Sequence, residues 1–257
     1  MIYDILHDIS HSGTLMRFHI IPFAFLLLSG CITAWNAPTD FAYVPIDAGQ
    51  YTLLTYQRLS DSVSPVHIYI EGDGNSFDSC GVPTSDPTPH GTLVRDMAAH
   101  DLSPNVVYMA RPCQYIMSRS CRVTDWTDGR FSPDIIDAMA GAVRTVAQAR
   151  PIVLIGYSGG ALVSGIIINQ NPDMNIVRWI TVAGVLNHAD WTEYFGDAPL
   201  DKSLNMSGLP DIPQIHYIAK NDAVVPNELS YKWTGGQNLT VVSNATHGKF
   251  PKKEIKF

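Results

Sequence analysis

The sequence predicts an α/β protein with a mostly parallel central sheet that helices cover on both faces. Two observations indicate this class. Short apolar runs recur along the chain, at 66–70, 105–110, 152–155, 179–183, 215–219 and 239–242, and helical patterns separate several of them. Nearly continuous apolar runs are typical of parallel strands that are buried on both faces. The chain has 257 residues, of which 46% are hydrophobic, so it can bury one large core.

The remaining elements are predicted from local patterns. Residues 51–59 alternate between apolar and polar side chains, as an early strand does. Helices are expected over 90–100 and 161–169. Another helix should begin at Ser132-Pro133, because serine is a common N-cap and proline suits the first helical position. Its apolar face comprises Ile135, Ile136, Met139, Val143 and Val146. The stretch 111–131 has no regular pattern.

The N-terminus has the features of an export signal. Arg17 precedes the apolar run 18–28, which is too short to span a bilayer. The following Leu-Ser-Gly-Cys31 resembles a bacterial lipobox, which implies lipidation of Cys31 after removal of residues 1–30. An ordinary signal peptide with a chance cysteine is the alternative. Because Met16 can serve as a start, residues 1–15 are interpreted as an upstream extension.

This interpretation divides the chain into a signal peptide at 1–30, a tether at 31–40 and an α/β domain at 41–257. It predicts a location in the bacterial cell envelope, with membrane attachment through the N-terminal lipid. The residue after Cys31 is isoleucine rather than aspartate, which resembles an outer-membrane address. The net charge of −7 argues against nucleic acid as a partner. The short lysine-rich tail, 249–256, is expected to be solvated.

Three cysteines remain after Cys31, and an exported protein can form disulfides. Cys113 and Cys121 lie eight residues apart in one polar segment, so we expect this pair to be bridged and Cys80 to be left over. Three free thiols are the alternative. No C-x-x-C motif and no paired histidine spacing is present, so the sequence predicts no metal site.

The most informative stretch is Gly156-Tyr-Ser158-Gly-Gly160, which follows an apolar strand and precedes a helix. A G-x-S-x-G motif in this context predicts a sharp turn that exposes a nucleophilic serine above the sheet. The first amides of the next helix point toward the same place and suit a developing negative charge. A phosphate-binding loop is disfavoured, because neither G-K-[ST] nor G-x-G-x-x-G is present.

Two later strand ends supply partners for this serine. Asp222 follows strand 215–219 and His247 follows strand 239–242, so the chain order is Ser, Asp, His. Histidine can take the proton of a serine hydroxyl, and an aspartate can hold the imidazole in the required tautomer. The competing acids are Asp190 and Asp211, and the competing bases are His188 and His216.

An acyl-transfer site also needs amides that stabilise the oxyanion. Glu71-Gly-Asp-Gly74 follows strand 66–70 and lies where a second amide is expected. We assign the two donors to the backbone amides of Asp73 and Gly159, with Gly74 as the fallback for the first. Arg111 could recognise a substrate carboxylate or pair with Glu71.

These motifs resemble the α/β-hydrolase fold over residues 41–250. The matching stretches are Gly-Tyr-Ser158-Gly-Gly, Asn-Asp222-Ala-Val-Val-Pro and Thr-His247-Gly. Glu71 stands where the family has a histidine. Three further stretches are similar to a group of bacterial α/β-hydrolases, namely Asp86-Pro-Thr-Pro, Ala110-Arg-Pro-Cys-Gln-Tyr and Trp126-Thr-Asp-Gly-Arg-Phe. The resemblance implies a serine hydrolase but no particular substrate.

The leading interpretation is an esterase that uses no cofactor and acts on a small ester or acyl substrate. Segment 185–213 is too short for a large lid domain. Substrate contacts are expected from Gly74, Tyr157, Trp126 and Trp191, and Tyr194, Phe195, Tyr115 and Met117 are further aromatic or apolar candidates. A thioesterase, peptidase or acyltransferase would need the same residues. A non-catalytic envelope protein that binds ligands on this fold is the alternative from another class.

Overall fold

A computed structural model of the protein describes residues 35–251 and residue 255. The predicted signal peptide, Cys31 and the first part of the tether lie outside the described residues. The described residues form ten strands, and we number them β1 (Ala42–Tyr43), β2 (Ile46–Ala48), β3 (Tyr51–Leu53), β4 (Thr55–Leu59), β5 (Val66–Ile70), β6 (Asn105–Met109), β7 (Ile152–Tyr157), β8 (Ile176–Val182), β9 (Gln214–Ala219) and β10 (Leu239–Val242). The helices are α1 (Leu93–His100), α2 (Pro133–Ala147), α3 (Gly159–Gln170), α4 (His188–Phe195) and α5 (Asn227–Thr234).

Eight strands form one sheet in the order β1-β4-β6-β5-β7-β8-β9-β10. All pairs from β6 through β10 are parallel, whereas β1 and β4 join antiparallel at one edge. Successive residues of β5 belong to different cores: Ile68 packs with α2 and α3, and Tyr69 packs with α1 on the opposite face. The predicted class, a mostly parallel sheet with helices on both faces and no large lid domain, is confirmed.

The predicted single strand over 51–59 is two strands. β3 pairs with β2 in a separate two-stranded sheet, and β4 pairs with β1 and β6 in the main sheet. Leu53 is buried in the core that contains α2 and α3, whereas Leu54 is buried in the other core. The alternating pattern continues through both strands, so it did not show where the chain changes partners.

The predicted helix start at Ser132-Pro133 is confirmed. Ser132 occupies the N-cap and Pro133 is the first residue of α2, although the serine side chain makes no capping hydrogen bond. A disulfide joins Cys113 to Cys121, as the sequence predicted, and Cys80 is free and exposed. Within residues 111–131 the chain forms only one short 3₁₀ helix, Val123–Trp126.

The carboxyl ends of the central strands lie at one edge of the sheet. Ile70 pairs with Gly156, Tyr157 pairs with Val182, and Ala219 pairs with Val242. The segments that follow these strands therefore meet at this edge, which is where parallel α/β sheets form their sites. Among the residues that the structure describes, no helix is both long enough and apolar enough to cross a membrane.

Candidate active site

Ser158 occupies a strained turn between β7 and α3. Its backbone has φ 51° and ψ −124°, a conformation that a residue with a side chain rarely adopts. Neighbouring glycines make this turn possible. A Cβ on Gly156 would lie 2.5 Å from the Ala161 Cα, and a Cβ on Gly160 would lie 2.5 Å from the carbonyl oxygens of Ile70 and Glu71. The sequence G-x-S-x-G is thus required by close backbone packing at this point.

The structure brings together the three residues that the sequence singled out. His247 Nε2 lies 3.1 Å from Ser158 Oγ. His247 Nδ1 lies 2.9 Å and 3.1 Å from the two carboxylate oxygens of Asp222. These distances form one continuous hydrogen-bonded chain from carboxylate to imidazole to hydroxyl, which is the geometry of an activated serine.

Asp222 and His247 are fixed by further contacts. The Asp222 side chain is only 1% exposed, and its Oδ1 accepts hydrogen bonds from the amides of Val224 and Val225 at 2.9 and 2.8 Å. The Tyr157 hydroxyl donates to the backbone carbonyl of His247 at 2.9 Å. Because Asp222 accepts on the Nδ1 side, the proton belongs on Nδ1, and Nε2 is left to accept from Ser158.

Two of the four competing residues, Asp190 and His216, are engaged elsewhere. Asp190 pairs with Lys232 at 2.8 Å and accepts from the Trp233 indole at 2.6 Å. His216 is buried in β9, where it contacts Thr181 Oγ1 at 2.8 Å, and burial lowers its pKa to about 4. His188 lies in the same cleft as Ser158 but has no hydrogen bond to it. Asp211 is exposed in the loop before β9.

The loop 71–74, which the sequence predicts to supply an oxyanion amide, is held by Gln114. The Gln114 side chain donates from Nε2 to the Gly72 carbonyl at 2.9 Å and accepts from the Arg111 amide at 3.0 Å. The carbonyl and the N–H of a trans peptide point in opposite directions. The amide of Asp73 belongs to the same peptide unit as the Gly72 carbonyl, so it points away from Gln114.

The same loop lies close to the proposed nucleophile. A Cβ on Gly72 would lie 3.0 Å from the Ser158 Cβ, so the loop passes directly beside the serine. Among the described residues, the Asp73 amide donates to no acceptor. The Gly159 amide opens α3 and has no intrahelical acceptor either. Both amides assigned from the sequence are therefore available to a ligand beside Ser158.

The Asp73 carboxylate is neutralised by two buried arginines. It pairs with Arg111 Nη1, and its Oδ2 lies 3.0 Å from Arg130 Nε. It also packs against Gly159, where a Cβ would collide with it. Arg111 is therefore engaged in this internal ion pair. This pair takes the place of the two roles expected from the sequence, which were recognition of a substrate carboxylate and a direct pair with Glu71. Because the arginines compensate its charge, the Asp73 carboxylate would repel an anion bound beside Gly159 less than an unpaired carboxylate would.

Glu71 is a buried carboxyl group under the same loop. Its Oε1 accepts from the Gly72 amide at 3.0 Å, and its Oε2 accepts from the Tyr108 hydroxyl at 2.9 Å. Burial raises the pKa of Glu71 to about 7, although both hydrogen bonds and the charges of Arg95 and Arg111 oppose the shift. Glu71 thus holds the start of the loop, and it keeps its proton to a higher pH than an exposed carboxyl group does.

A cleft of about 1230 Å³ opens above Ser158 and His247. Three of the four predicted contact residues line it: Gly74, Tyr157 and Trp191. The Trp126 side chain does not. It is 6% exposed and packs in the core with α2 and α3, and its indole donates to the Thr84 carbonyl at 3.1 Å. Trp126 follows the disulfide loop but faces inward, because the 3₁₀ helix turns it toward the core.

The other aromatic candidates also lie outside the lining of the cleft. Tyr115 packs beside Tyr108, and Met117, Tyr194 and Phe195 are exposed. Residues 185–200 do line the cleft through Val185, His188, Trp191 and the loop 197–200. In the described part of the chain, no group of three or more His, Cys, Asp or Glu side chains is arranged to hold a metal ion.

Sequence reasoning missed the roles of Gln114 and Arg130 in this site. Both belong to stretches that the resemblance had marked, Ala110-Arg-Pro-Cys-Gln-Tyr and Trp126-Thr-Asp-Gly-Arg-Phe. The available signal for Gln114 was its position, since it is a polar residue next to a disulfide-bonded cysteine in an irregular segment. It could not show which backbone group the side chain reaches 42 residues earlier in the chain.

No protein-family model and no curated protein matches this sequence. Its structure is similar to that of an α/β serine hydrolase without a lid from Xanthomonas campestris, with a TM-score of 0.52, 20% identity, and coverage of 82% of this chain and 87% of that one. A proposed aryl esterase from Burkholderia cenocepacia gives a TM-score of 0.57 at 14% identity, with coverage of 80% and 92%.

A hyperthermophilic esterase from the archaeon Pyrobaculum calidifontis is similar too, with a TM-score of 0.52, 13% identity, and coverage of 83% and 77%. At identities of 13 to 20%, these similarities establish the architecture. They agree with the strand order and with the position of the site at the carboxyl ends of the parallel strands.

Proposed function

Starting from the α/β-hydrolase fold of this chain, we propose that it is a serine hydrolase that cleaves carboxylic esters through an acyl-enzyme. The observation that supports this most directly is the hydrogen-bonded chain from Asp222 through His247 to Ser158, with a distance of 3.1 Å between imidazole and hydroxyl. The two unoccupied amides beside Ser158 supply the second requirement, a place for the oxyanion.

In the proposed reaction, His247 Nε2 takes the hydroxyl proton as Ser158 Oγ attacks the acyl carbon. The carbonyl oxygen becomes an oxyanion between the amides of Asp73 and Gly159. When the bond to the leaving alcohol breaks, the imidazolium gives its proton to the alcohol oxygen. A water molecule then attacks the acyl-enzyme, His247 takes its proton, and the acid is released as Ser158 recovers its hydrogen.

Asp222 stabilises the imidazolium in each step without taking its proton. Its charge is held in a buried position by two backbone amides, so no solvent reorganisation is needed when His247 becomes charged. The chemistry uses side chains and backbone amides alone, so the proposal includes no metal or organic cofactor.

The first test is labelling of the detergent-solubilised full-length protein with a fluorophosphonate probe, which reacts with activated serines. We expect labelling of the parent protein and of Ser132→Ala, a control at a serine that makes no capping bond. Ser158→Ala and His247→Ala should not be labelled. A folded parent protein that resists the probe would contradict the proposal and favour the non-catalytic binding protein.

A substrate panel then separates the reactions that share these residues. Matched butyryl esters, thioesters and amides, each assayed with and without an acceptor alcohol, distinguish esterase, thioesterase, peptidase and acyltransferase. We expect the ester to have the highest kcat/KM. A higher value for the thioester or amide would change the substrate class and leave the nucleophile assignment intact.

We also propose that the enzyme is anchored in the bacterial envelope through a lipid on Cys31, with an outer-membrane or periplasm-facing location. The proposal rests on the Leu-Ser-Gly-Cys31 stretch after an apolar segment. Cys31→Ser should move the protein from the membrane fraction to the soluble fraction, whereas Cys80→Ser, a change at an exposed free cysteine, should not. Membrane association of the Cys31→Ser protein would contradict the anchor.

A further inference from the structure

The indole of Trp191 is hydrogen-bonded to the loop that carries Asp222. Trp191 belongs to α4, and its Nε1 donates to the carbonyl of Val224 at 2.7 Å. This bond joins α4 to the segment that follows β9, across 33 residues of the chain. Among the described residues, no backbone amide donates to the same carbonyl. The steps of the proposed reaction give this bond no role so far.

The Val224 carbonyl shares one peptide unit with the N–H of Val225. Because the carbonyl and the N–H of a trans peptide point in opposite directions, a donor that holds the carbonyl also fixes the direction of the N–H. That N–H donates to Asp222 Oδ1 at 2.8 Å. The other carboxylate oxygen lies 2.9 Å from His247 Nδ1. One hydrogen-bonded chain therefore runs from the indole through this peptide to Asp222 and His247.

The loop that contains this peptide lies at the surface. Residues 222–226 form no helix or strand, and Val224 is 44% exposed. The amides of Val224 and Val225 bind Asp222 from two and three residues further along, which is the local turn that an aspartate side chain forms with its own backbone. Without the indole, the peptide would be free to turn toward solvent. The Asp222 carboxylate would then lose a donor and part of its fixed orientation.

Trp191 itself is well fixed. The centre of its ring lies 5.3 Å from that of Phe195 and 5.7 Å from the guanidinium of Arg130. The start of α4 is held by Asn187, which caps the helix and accepts from Asn205 Nδ2 at 2.9 Å. An indole has one donor and no acceptor, so the direction of its hydrogen bond is unambiguous. Hydrogen bonds in such a chain also polarise one another.

We propose that Trp191 is a positioning residue of the active site, whose indole N–H holds the Val224–Val225 peptide and thereby orients the Asp222 carboxylate toward His247. This inference rests on the proposed esterase activity. Trp191 also lines the cleft, so its ring and its N–H have separate roles. One hydrogen bond of ordinary strength corresponds to roughly a fivefold effect on kcat.

The first measurement is kcat of the full-length protein with p-nitrophenyl butyrate. Trp191→Phe keeps an aromatic ring but has no N–H, so we expect kcat to fall about fivefold. If that variant does not fold, 3-benzothienylalanine at position 191 replaces it, because this residue has the size and shape of tryptophan without the N–H. Trp35→Phe is the matched control. It removes an indole that donates to Asp96 at 3.1 Å and should leave kcat unchanged.

A double-mutant cycle shows whether Trp191 acts through Asp222. Asp222→Ala removes the carboxylate, so nothing is left for the indole to position. In that background, Trp191→Phe should change kcat less than about twofold, because two residues in one hydrogen-bonded network are not additive. A tryptophan that only contacts the ester or supports the fold would cause the same loss in both backgrounds. The rate of fluorophosphonate labelling gives a second measure that remains accessible at low activity.

The outcomes separate this inference from the proposed function. Parent protein that reacts with the probe and hydrolyses the ester, but whose Trp191→Phe variant keeps the parental kcat, would overturn the positioning role alone. An undiminished loss in the Asp222→Ala background would also overturn it. Parent protein that neither reacts with the probe nor hydrolyses any ester would overturn the proposed function and this inference with it.

Discussion

Gln114 Nε2 donates to the carbonyl oxygen of Gly72 at 2.9 Å, within the loop 71–74 that is proposed to bind the oxyanion. This one hydrogen bond orients the peptide unit whose N–H belongs to Asp73. Gln114 is 2% exposed and contacts no reacting atom in the proposed mechanism, so it is a positioning residue. Its contribution should be visible in the transition state, where the oxyanion is formed.

Replacing Gln114 with methionine should lower kcat about 10- to 100-fold with little change in KM. Methionine has a similar volume but cannot donate a hydrogen bond to the Gly72 carbonyl, so the Asp73 amide loses its fixed direction. Loss of a complete oxyanion donor typically costs 10²- to 10³-fold, and misorientation should cost less. Steady-state kinetics with a p-nitrophenyl ester measure both constants.

A purely structural role for Gln114 predicts a different result. In that case the methionine variant would lose thermal stability without a separate effect on kcat. Binding of an alkyl boronate, which forms a tetrahedral adduct with Ser158, provides a second measurement. Affinity for the boronate should fall together with kcat, and Gln237→Met, at an exposed position, should alter neither.

Asp222→Asn should reduce kcat by about 10⁴-fold while the fold is retained. Asparagine preserves the size of the side chain but removes the charge, and its amide can turn a donor toward Nδ1 of His247. The imidazole would then hold its proton on Nε2 and could not accept from Ser158. Asp190→Asn, at a carboxylate that pairs with Lys232, is the control and should lower kcat less than threefold.

Glu71→Gln should change how stability depends on pH. The pKa of Glu71 is about 7 in the folded protein and 4.5 in the reference state, so between these values the folded state keeps a proton that the unfolded state has lost. The free energy of unfolding therefore falls as pH rises through this window and levels off above it. Glutamine does not titrate, so the variant avoids this loss.

From pH 4.5 to pH 8, the free energy of unfolding of the variant should rise relative to that of the parent protein by on the order of 3 kcal/mol. Urea unfolding of both proteins at pH 5, 6, 7 and 8 measures this difference. The other titrating groups are the same in both proteins, so their contributions cancel. Glu193→Gln, at an exposed carboxylate, is the matched control. A difference that does not vary with pH for Glu71→Gln would mean that Glu71 titrates normally in the folded protein.

Two glycine-to-alanine substitutions should have opposite effects on stability. In Gly160→Ala, the new methyl group would lie 2.5 Å from backbone oxygens of residues 70 and 71, so we expect a loss of about 2 kcal/mol or more, together with loss of activity. Gly141 is exposed in α2 and has open space, so Gly141→Ala should add about 0.5–1 kcal/mol. Thermal unfolding of both variants checks the signs, and a stable, active Gly160→Ala protein would show that the turn can relax.

The sequence predicted the parts of the site that depend on local order. Ser158, Asp222 and His247 each follow an apolar run, and parallel strands bring their carboxyl ends to one edge, so the three residues had to converge. The glycines beside Ser158 and the Cys113–Cys121 pair were also evident from short-range spacing. The prediction that Trp126 contacts the substrate was wrong, because burial depends on which way a short helix turns its side chains.

The sequence by itself thus determined the fold class and predicted the proposed nucleophile and the chain order of its partners, because these follow from periodicity and from residues near each strand end. Tertiary structure decided which side chains support them. Gln114 reaches Gly72 across 42 residues, Asp73 is shared between two arginines, and the His188 ring stacks on Phe131. Such contacts join distant segments, and their hydrogen bonds depend on geometry that no local pattern encodes.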